Sequence, residues 1–204
     1  MLTVQKMMLA TREPILQDFS FDFSLHNFYQ IEAENGTGKT SFLRALTGLI
    51  RLTNGKVLYD GHPFFQKRED VFYFEDGSWL NPNLTSADYL SFVKRQWGSS
   101  VDLNAERQFL GVEEFQNVPI KKYSLGMKQK LIIAMYFVSG AKYLLMDEIT
   151  NGLDEHSRMV LYQRLSTEIS EHNKCILLTS HYGSELHVSH THRLIFRDLQ
   201  IMEG

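Results

Sequence analysis

The chain has 204 residues, 43% of them hydrophobic, with 21 Lys and Arg against 24 Asp and Glu for a formal net charge of −3. That length and apolar content suit one domain with a substantial core. The acidic balance argues against a general nucleic-acid binder, which would carry a basic excess. A single cysteine, Cys175, lies in an apolar strand-like run, so no disulfide framework exists within the chain and a reducing, cytosolic setting is expected. No secretory-signal pattern opens the sequence. The longest apolar run, Leu131 to Val138, is too short to span a bilayer, so a membrane role is expected to come through a partner and not by direct insertion.

Residues 2–32 read as strands, with Phe19, Phe21, Phe23 and Leu25 alternating with polar residues. Thr40 to Ile50 places apolar side chains at helical spacing. Thr53-Asn54-Gly55 reads as a turn, Lys56 to Tyr59 as a short strand, Asp60-Gly61 as another turn, and Val71 to Glu75 as a strand. The character then becomes helical. Thr85 and Asp88 form a capping-box pattern ahead of a helix to about Trp97. Leu103 to Leu110 is a second helix stopped by Gly111, and Tyr123 to Val138 a third, with Gly140 as its stop. Together these make a helical insertion at about 77–138 inside a single domain, 1–204. Lys142 to Asp147 and Cys175 to Ser180 read as buried strands flanking a long helix, Glu155 to His172, and Leu194 to Arg197 and Gln200 to Glu203 as a last strand pair. Strands alternating with helices indicate an α/β sheet protein.

The most informative stretch is Ala33-Glu34-Asn35-Gly36-Thr37-Gly38-Lys39-Thr40-Ser41, set between a strand-like and a helix-like run. Such a glycine-rich turn aims backbone N–H groups and a helix N-terminus at one concavity, which suits a phosphate chain. Lys39 can reach the β/γ-phosphates, and the Thr40 hydroxyl is placed for Mg²⁺. The pattern usually starts with glycine; here Ala33 stands in that place, which asks whether the turn tolerates a Cβ. The strand context on one side and the helix on the other predict a site for a nucleoside triphosphate.

Tyr143-Leu144-Leu145-Met146-Asp147-Glu148 supplies the second half of such a site. A buried strand delivers Asp147 to its carboxyl edge, where it can hold Mg²⁺ directly or through water. Glu148 then lies beside the γ-phosphate, in range to orient and deprotonate the attacking water. Ser124-Leu125-Gly126-Met127-Lys128-Gln129 opens a helix, with Ser124 as N-cap. The same capped geometry exposes donors for a second anion site.

These segments, with Asn151-Gly152-Leu153-Asp154 and Ser180-His181, occur in the order and approximate spacing of ATP-binding cassette (ABC) ATPases, and the chain resembles that family over about Leu2 to Glu203. The resemblance implies a P-loop NTPase core of ABC type: a mixed sheet flanked by helices, an antiparallel β part at the N-terminus and a small helical insertion. It also implies ATP hydrolysis and a head-to-tail dimer, two copies or a similar second subunit, holding two ATP molecules. Each ATP would meet Asn35 to Ser41, Asp147, Glu148 and His181 of one subunit and Ser124 and Gly126 of the other. Asp154 would lie in the loop crossing the interface, and His181 would contact the γ-phosphate and the water.

Two family features depart. Where a glutamine usually follows the strand before the insertion, Tyr73-Phe74-Glu75-Asp76 places Asp76, whose carboxylate is expected to meet Mg²⁺ through water. No aromatic ring precedes the phosphate loop within residues 1–18, so Arg12 is expected to stack its guanidinium on the adenine. His187, His190 and His192 match no zinc spacing, and the methionines read as core filler. For the use of ATP, the resemblance favours the motor subunit of a membrane transporter, peripheral on the inner face of the cell membrane. It would act through a separate integral membrane permease, with export preferred. The groove between insertion and sheet, near Phe74, Trp79, Leu80, Leu84 and Tyr89, would receive a short permease helix. The alternatives are a soluble ABC ATPase acting on DNA or ribosomes, against which the charge balance counts, and a small-molecule kinase, which has no need of residues 124–129 or His181.

Overall fold

The computed structural model describes residues 1–181 and 188–204. The chain starts as an antiparallel hairpin, β1 (Leu2–Ala10) and β2 (Pro14–Phe23), and β1 also pairs with β4 (Asn54–Tyr59) in a four-stranded sheet ordered β2-β1-β4-β5, where β5 is His62–Pro63. Lys6 and Asp18 sit at positive φ where the β1–β2 register slips, so the buried set runs Leu2, Val4, Met7, Leu9. That bulge resets a simple alternation. Phe19 and Phe23 are buried as expected, while Phe21 is half-buried.

The expected turn at Thr53-Asn54-Gly55 is partly strand, because β4 already begins at Asn54. Gly55, at φ +88°, crosses β1 so closely that a Cβ would lie 2.3–2.4 Å from the Gln5 and Lys6 carbonyls. Only glycine fits that crossing.

The larger sheet has six strands in the order β10-β9-β3-β8-β7-β6. Here β3 is Asn27–Glu32, β6 Val71–Tyr73, β7 Tyr143–Asp147, β8 Cys175–Ser180, β9 Thr191–Arg197 and β10 Gln200–Glu203. Pairing is parallel from β9 to β6, with β10 antiparallel at the edge. β7 and β8 are buried at every position, which is the pattern of strands covered on both faces. Phe28, Leu144, Met146, Ile176 and Leu178 face one core, and Tyr29, Ile31, Tyr143, Leu145, Cys175 and Leu177 the other. Period-2 alternation thus splits each strand between two hydrophobic layers.

Helix α1 (Lys39–Leu46) and the four-stranded sheet cover the second of these cores. The helix ends earlier than its apolar spacing predicts: Thr47 is the C-cap, Gly48 turns at φ +71°, and Leu49 is exposed. A short helix not read from the sequence, α2 (Phe64–Lys67), precedes β6. The other core is covered by α3 (Ser86–Gln96), α4 (Leu103–Phe109), α5 (Leu125–Val138) and α6 (Glu155–Ser170). The capping box forms: Asp88 N–H donates to Thr85 Oγ1 at 3.2 Å and Thr85 N–H to Asp88 Oδ2 at 2.9 Å. Residues 131–138 of α5 are buried all round, because that helix lies between the large sheet and helices α3 and α4.

One guanidinium joins the insertion to the core. Arg164 on α6 donates to Glu106 on α4 and to Glu168 on its own helix, each at 2.7 Å, and lies 4.7 Å and 5.3 Å from the Phe137 and Phe109 ring centroids. Both carboxylates are buried, and burial pushes the Glu106 carboxyl above its ordinary range. Among the described residues, no helix is long and apolar enough to cross a membrane.

Candidate functional site

Parallel strands place their carboxyl ends together, so the segments following β3, β7 and β8 meet at one edge. The first is the glycine loop. Ala33 is buried without strain on its Cβ, and its N–H donates to Ser180 O at 3.1 Å, so alanine is accommodated at that position. Gly36 and Gly38 adopt φ +81° and +111°. Gly38 is the N-cap of α1, which has no side-chain cap and no carboxylate in its first turn. The helix end therefore presents its N–H groups without an internal acidic competitor.

A Cβ on Gly38 would lie 2.4 Å from Ile15 Cγ2, and the left-handed φ disfavours any side chain. Gly38→Ala is expected to weaken ATP binding at least tenfold and to lower the melting temperature by several degrees; calorimetry on the purified variant checks both.

Lys39 is buried, and its ammonium donates to Ala33 O and Glu34 O at 3.1 Å and pairs with Glu148 Oε1 at 3.0 Å. Thr40 Oγ1 donates to Asp147 Oδ2 at 2.6 Å, and Thr179 Oγ1 to Asp147 Oδ1 at 2.5 Å. Burial raises the Asp147 carboxyl above its ordinary range, against the lowering effect of the two hydroxyls. Glu148 sits at φ +46°, with its N–H donating to Thr179 O and Oγ1. Its Oε2 accepts from Asn151 Nδ2 at 2.9 Å and lies 3.4 Å from His181 Nε2. The structure thus brings together Lys39, Thr40, Asp147, Glu148 and His181, and adds Thr179 and Asn151, which the sequence reading missed. A hydroxyl one residue before the end of β8, in register with Asp147, was the available signal for Thr179.

Ser124 is the N-cap of α5 and accepts from Met127 N–H at 3.2 Å. This helix start packs on the loop after β7. Leu125 lies against Gly152, a Cβ on Gly126 would lie 3.4 Å from Gly152 O, and Gln129 Nε2 donates to Ile149 O at 2.5 Å. Asp154 caps α6, accepting from Ser157 N at 2.8 Å and Ser157 Oγ at 3.1 Å, which holds its carboxyl below the ordinary range. Ser124 and Leu125 are exposed.

A family model described as ABC transporter matches residues 16–151. The chain belongs to the ABC transporter family. Its relatives include an uncharacterized ABC transporter ATP-binding protein, YybJ, of Bacillus subtilis (strain 168), 31% identical over 181 residues that cover 84% of this chain and 81% of the relative. The cytochrome c biogenesis ATP-binding export protein CcmA of Escherichia coli (strain K12) is 29% identical over 82% of each chain. The lantibiotic transport ATP-binding protein SrtF of Streptococcus pyogenes is 29% identical over 86% of this chain and 77% of the relative. A solved ATP-binding subunit of an ABC transporter superposes with a TM-score of 0.86 at 21% identity, covering 100% of this chain and 89% of that one. The ABC fold expected from the sequence is therefore the fold observed, and the chain is an ATP-binding, ATP-hydrolysing subunit of ABC transporter type.

Asp76, Arg12 and the histidines, all singled out in the sequence, have the following surroundings in this ABC subunit. Asp76, expected beside the metal, is exposed, and its carboxylate caps the next turn by accepting from Ser78 N–H at 2.6 Å. Tyr73 is in register with Leu145, so two residues on it is Glu75, not Asp76, that shares parity with Asp147. Arg12 is exposed in the β1–β2 turn, and the side chain that meets the ABC phosphate loop is Ile15. Of the three histidines, His187 lies outside the described residues, His190 gives its carbonyl to Phe28 N–H at 3.0 Å, and His192 stacks on Tyr29 and bonds Asn27 Oδ1 at 3.0 Å.

Proposed function

We propose that this subunit is the motor of an exporter and works as a head-to-tail pair on a separate integral membrane permease. The observation that carries the reading is that one chain presents two helix starts suited to anions, at Gly38 and at Ser124, and among the described residues no hydrogen bond joins Ser124 to Lys39 or Thr40. Lys39 and Thr40 bond to Ala33, Glu34, Asp147 and Glu148, whereas Ser124 accepts from its own helix and Gln129 donates to Ile149. In the pair, ATP held by residues 35–41 of one subunit is completed by Ser124 and Gly126 of the other, with Asp154 at the crossing loop. The relatives CcmA, an export protein, and SrtF, a transport protein, support export.

Thr40 and Asp147 supply hard oxygen donors 2.6 Å apart, a set that fits Mg²⁺. Bound there, the ion would neutralise phosphate charge. Glu148, opposed to Lys39 and steadied by Asn151, takes a proton from water as the water oxygen bonds the γ-phosphorus. The bond from that phosphorus to the bridging oxygen breaks, and ADP keeps the electron pair. Lys39 and the loop N–H groups face the developing charge, and His181, 3.4 Å from Glu148 Oε2, contacts the γ-phosphate and the water. Loss of the γ-phosphate removes what links the two subunits, and the pair opens.

A cavity of about 350 Å³ lined by Leu49, Phe64, Tyr73, Trp79 and Trp97 is the docking place for a permease segment. Of the residues expected there, Trp79 lines it, while Phe74 and Tyr89 pack edge to face and Leu80 is buried. Purification of the tagged chain from native membranes in mild detergent is expected to bring down an integral membrane protein. Recovery of ribosomes or nucleic acid instead would favour the soluble alternative and overturn this reading.

A further inference from the structure

Asp147, Glu148 and Glu75 lie near one another at the carboxyl edge of the large sheet, and Glu75 is held by a guanidinium. Asp147 accepts from Thr40 and Glu148 pairs with Lys39. Glu75, two residues beyond the end of β6 and close enough to Asp147 for the two charges to interact, is gripped by Arg44. Arg44 Nε donates to Glu75 Oε2 and Nη2 to Oε1, both at 2.5 Å, and the Tyr73 hydroxyl donates to Oε2 at 3.0 Å. The Glu75 side chain is only 11% exposed. Arg44 lies four positions after Thr40, so one face of α1 offers a hydroxyl to Asp147 and, one turn later, a guanidinium to Glu75.

A bidentate fork is the strongest pairing available to a carboxylate. Its place matters here because a polyanionic triphosphate must approach this edge. With Glu75 bare, three carboxylates would face the ligand against the single ammonium of Lys39.

We propose that Arg44 is a charge-balancing, positioning residue: its fork neutralises Glu75 and makes an acidic side chain compatible with a triphosphate beside it. The inference rests on reading residues 33–41 as the triphosphate site. Arg44 acts through Glu75 and not on the nucleotide, which gives it a signature that a merely structural residue lacks.

The test is equilibrium binding of ATP, with Mg²⁺ and separately with chelator, to the full chain and to R44Q, E75Q and R44Q/E75Q. R44Q is expected to weaken chelated ATP on the order of tenfold, the effect of one uncompensated like charge at close range. It should weaken MgATP less, because the cation lowers the ligand's charge. E75Q alone should lose nothing, and R44Q/E75Q should regain the parent affinity. R44Q binding chelated ATP as the parent does would overturn the proposal, as would a folded double variant still as weak as R44Q. Where R44Q fails to fold, the double variant decides alone: parent-like affinity supports charge balance, and weak binding overturns it. A parent chain that bound no ATP at all would instead overturn the nucleotide reading itself.

Discussion

Replacing Glu148 by Gln is expected to leave ATP bound while cutting hydrolysis by roughly 10²–10⁴-fold, the range for losing a positioned general base. The geometry says why binding should survive. Glu148 pairs with the Lys39 ammonium at 3.0 Å, so its carboxylate competes for the cation that a phosphate needs. Gln keeps the volume and an oxygen for Asn151 Nδ2, which holds Oε2 at 2.9 Å, but removes the charge competing for Lys39. Affinity should therefore hold or rise. If the head-to-tail pair forms, the uncleaved nucleotide should also trap it, doubling the mass seen by light scattering with MgATP. Phosphate release at the parent rate in Glu148→Gln would remove the general-base role. Slow hydrolysis with a monomer at every ATP concentration would spare that role and sink the pair.

Lys39→Ala should act on the opposite quantity. The ammonium is buried and held by two carbonyls and Glu148 in a geometry that aims it over the loop. Losing one charge-assisted bond to phosphate costs about 1.5–3 kcal/mol, or roughly 10²-fold in affinity. A further change belongs to the free protein: Glu148 loses its cation and the Ala33 and Glu34 carbonyls lose their donor. Melting of the nucleotide-free variant should fall by a few degrees. Titration calorimetry with MgATP reads the first effect and a thermal scan the second. Parent-like affinity in Lys39→Ala would contradict a phosphate role for this loop.

What could be read from the sequence was contiguous. The phosphate loop, the Asp147-Glu148 strand end and the Thr85–Asp88 cap each lie within a few residues, where local backbone geometry decides the outcome. What escaped depends on packing between distant segments. Gly55 looks like a turn glycine, yet it sits in a strand because β1 passes beneath it. Leu49 and Ile50 continue a helical spacing that Gly48 has already ended. The sequence reading points to Asp76, whereas strand parity favours Glu75. Its partner Arg44 could not be foreseen, because a charged residue on an amphipathic helix usually faces water. Ile15 against Gly38 likewise pairs a loop with a strand far from it in sequence.

The Arg164 contact has a mechanical consequence. Glu106 belongs to the insertion and Glu168 to the core, and one cation serves both from between two rings. Sliding α4 along α6 would strand a buried anion well before the surrounding side chains could readjust, and uncompensated buried charge is steeply unfavourable. The seam therefore resists small displacements and yields, if at all, in one step.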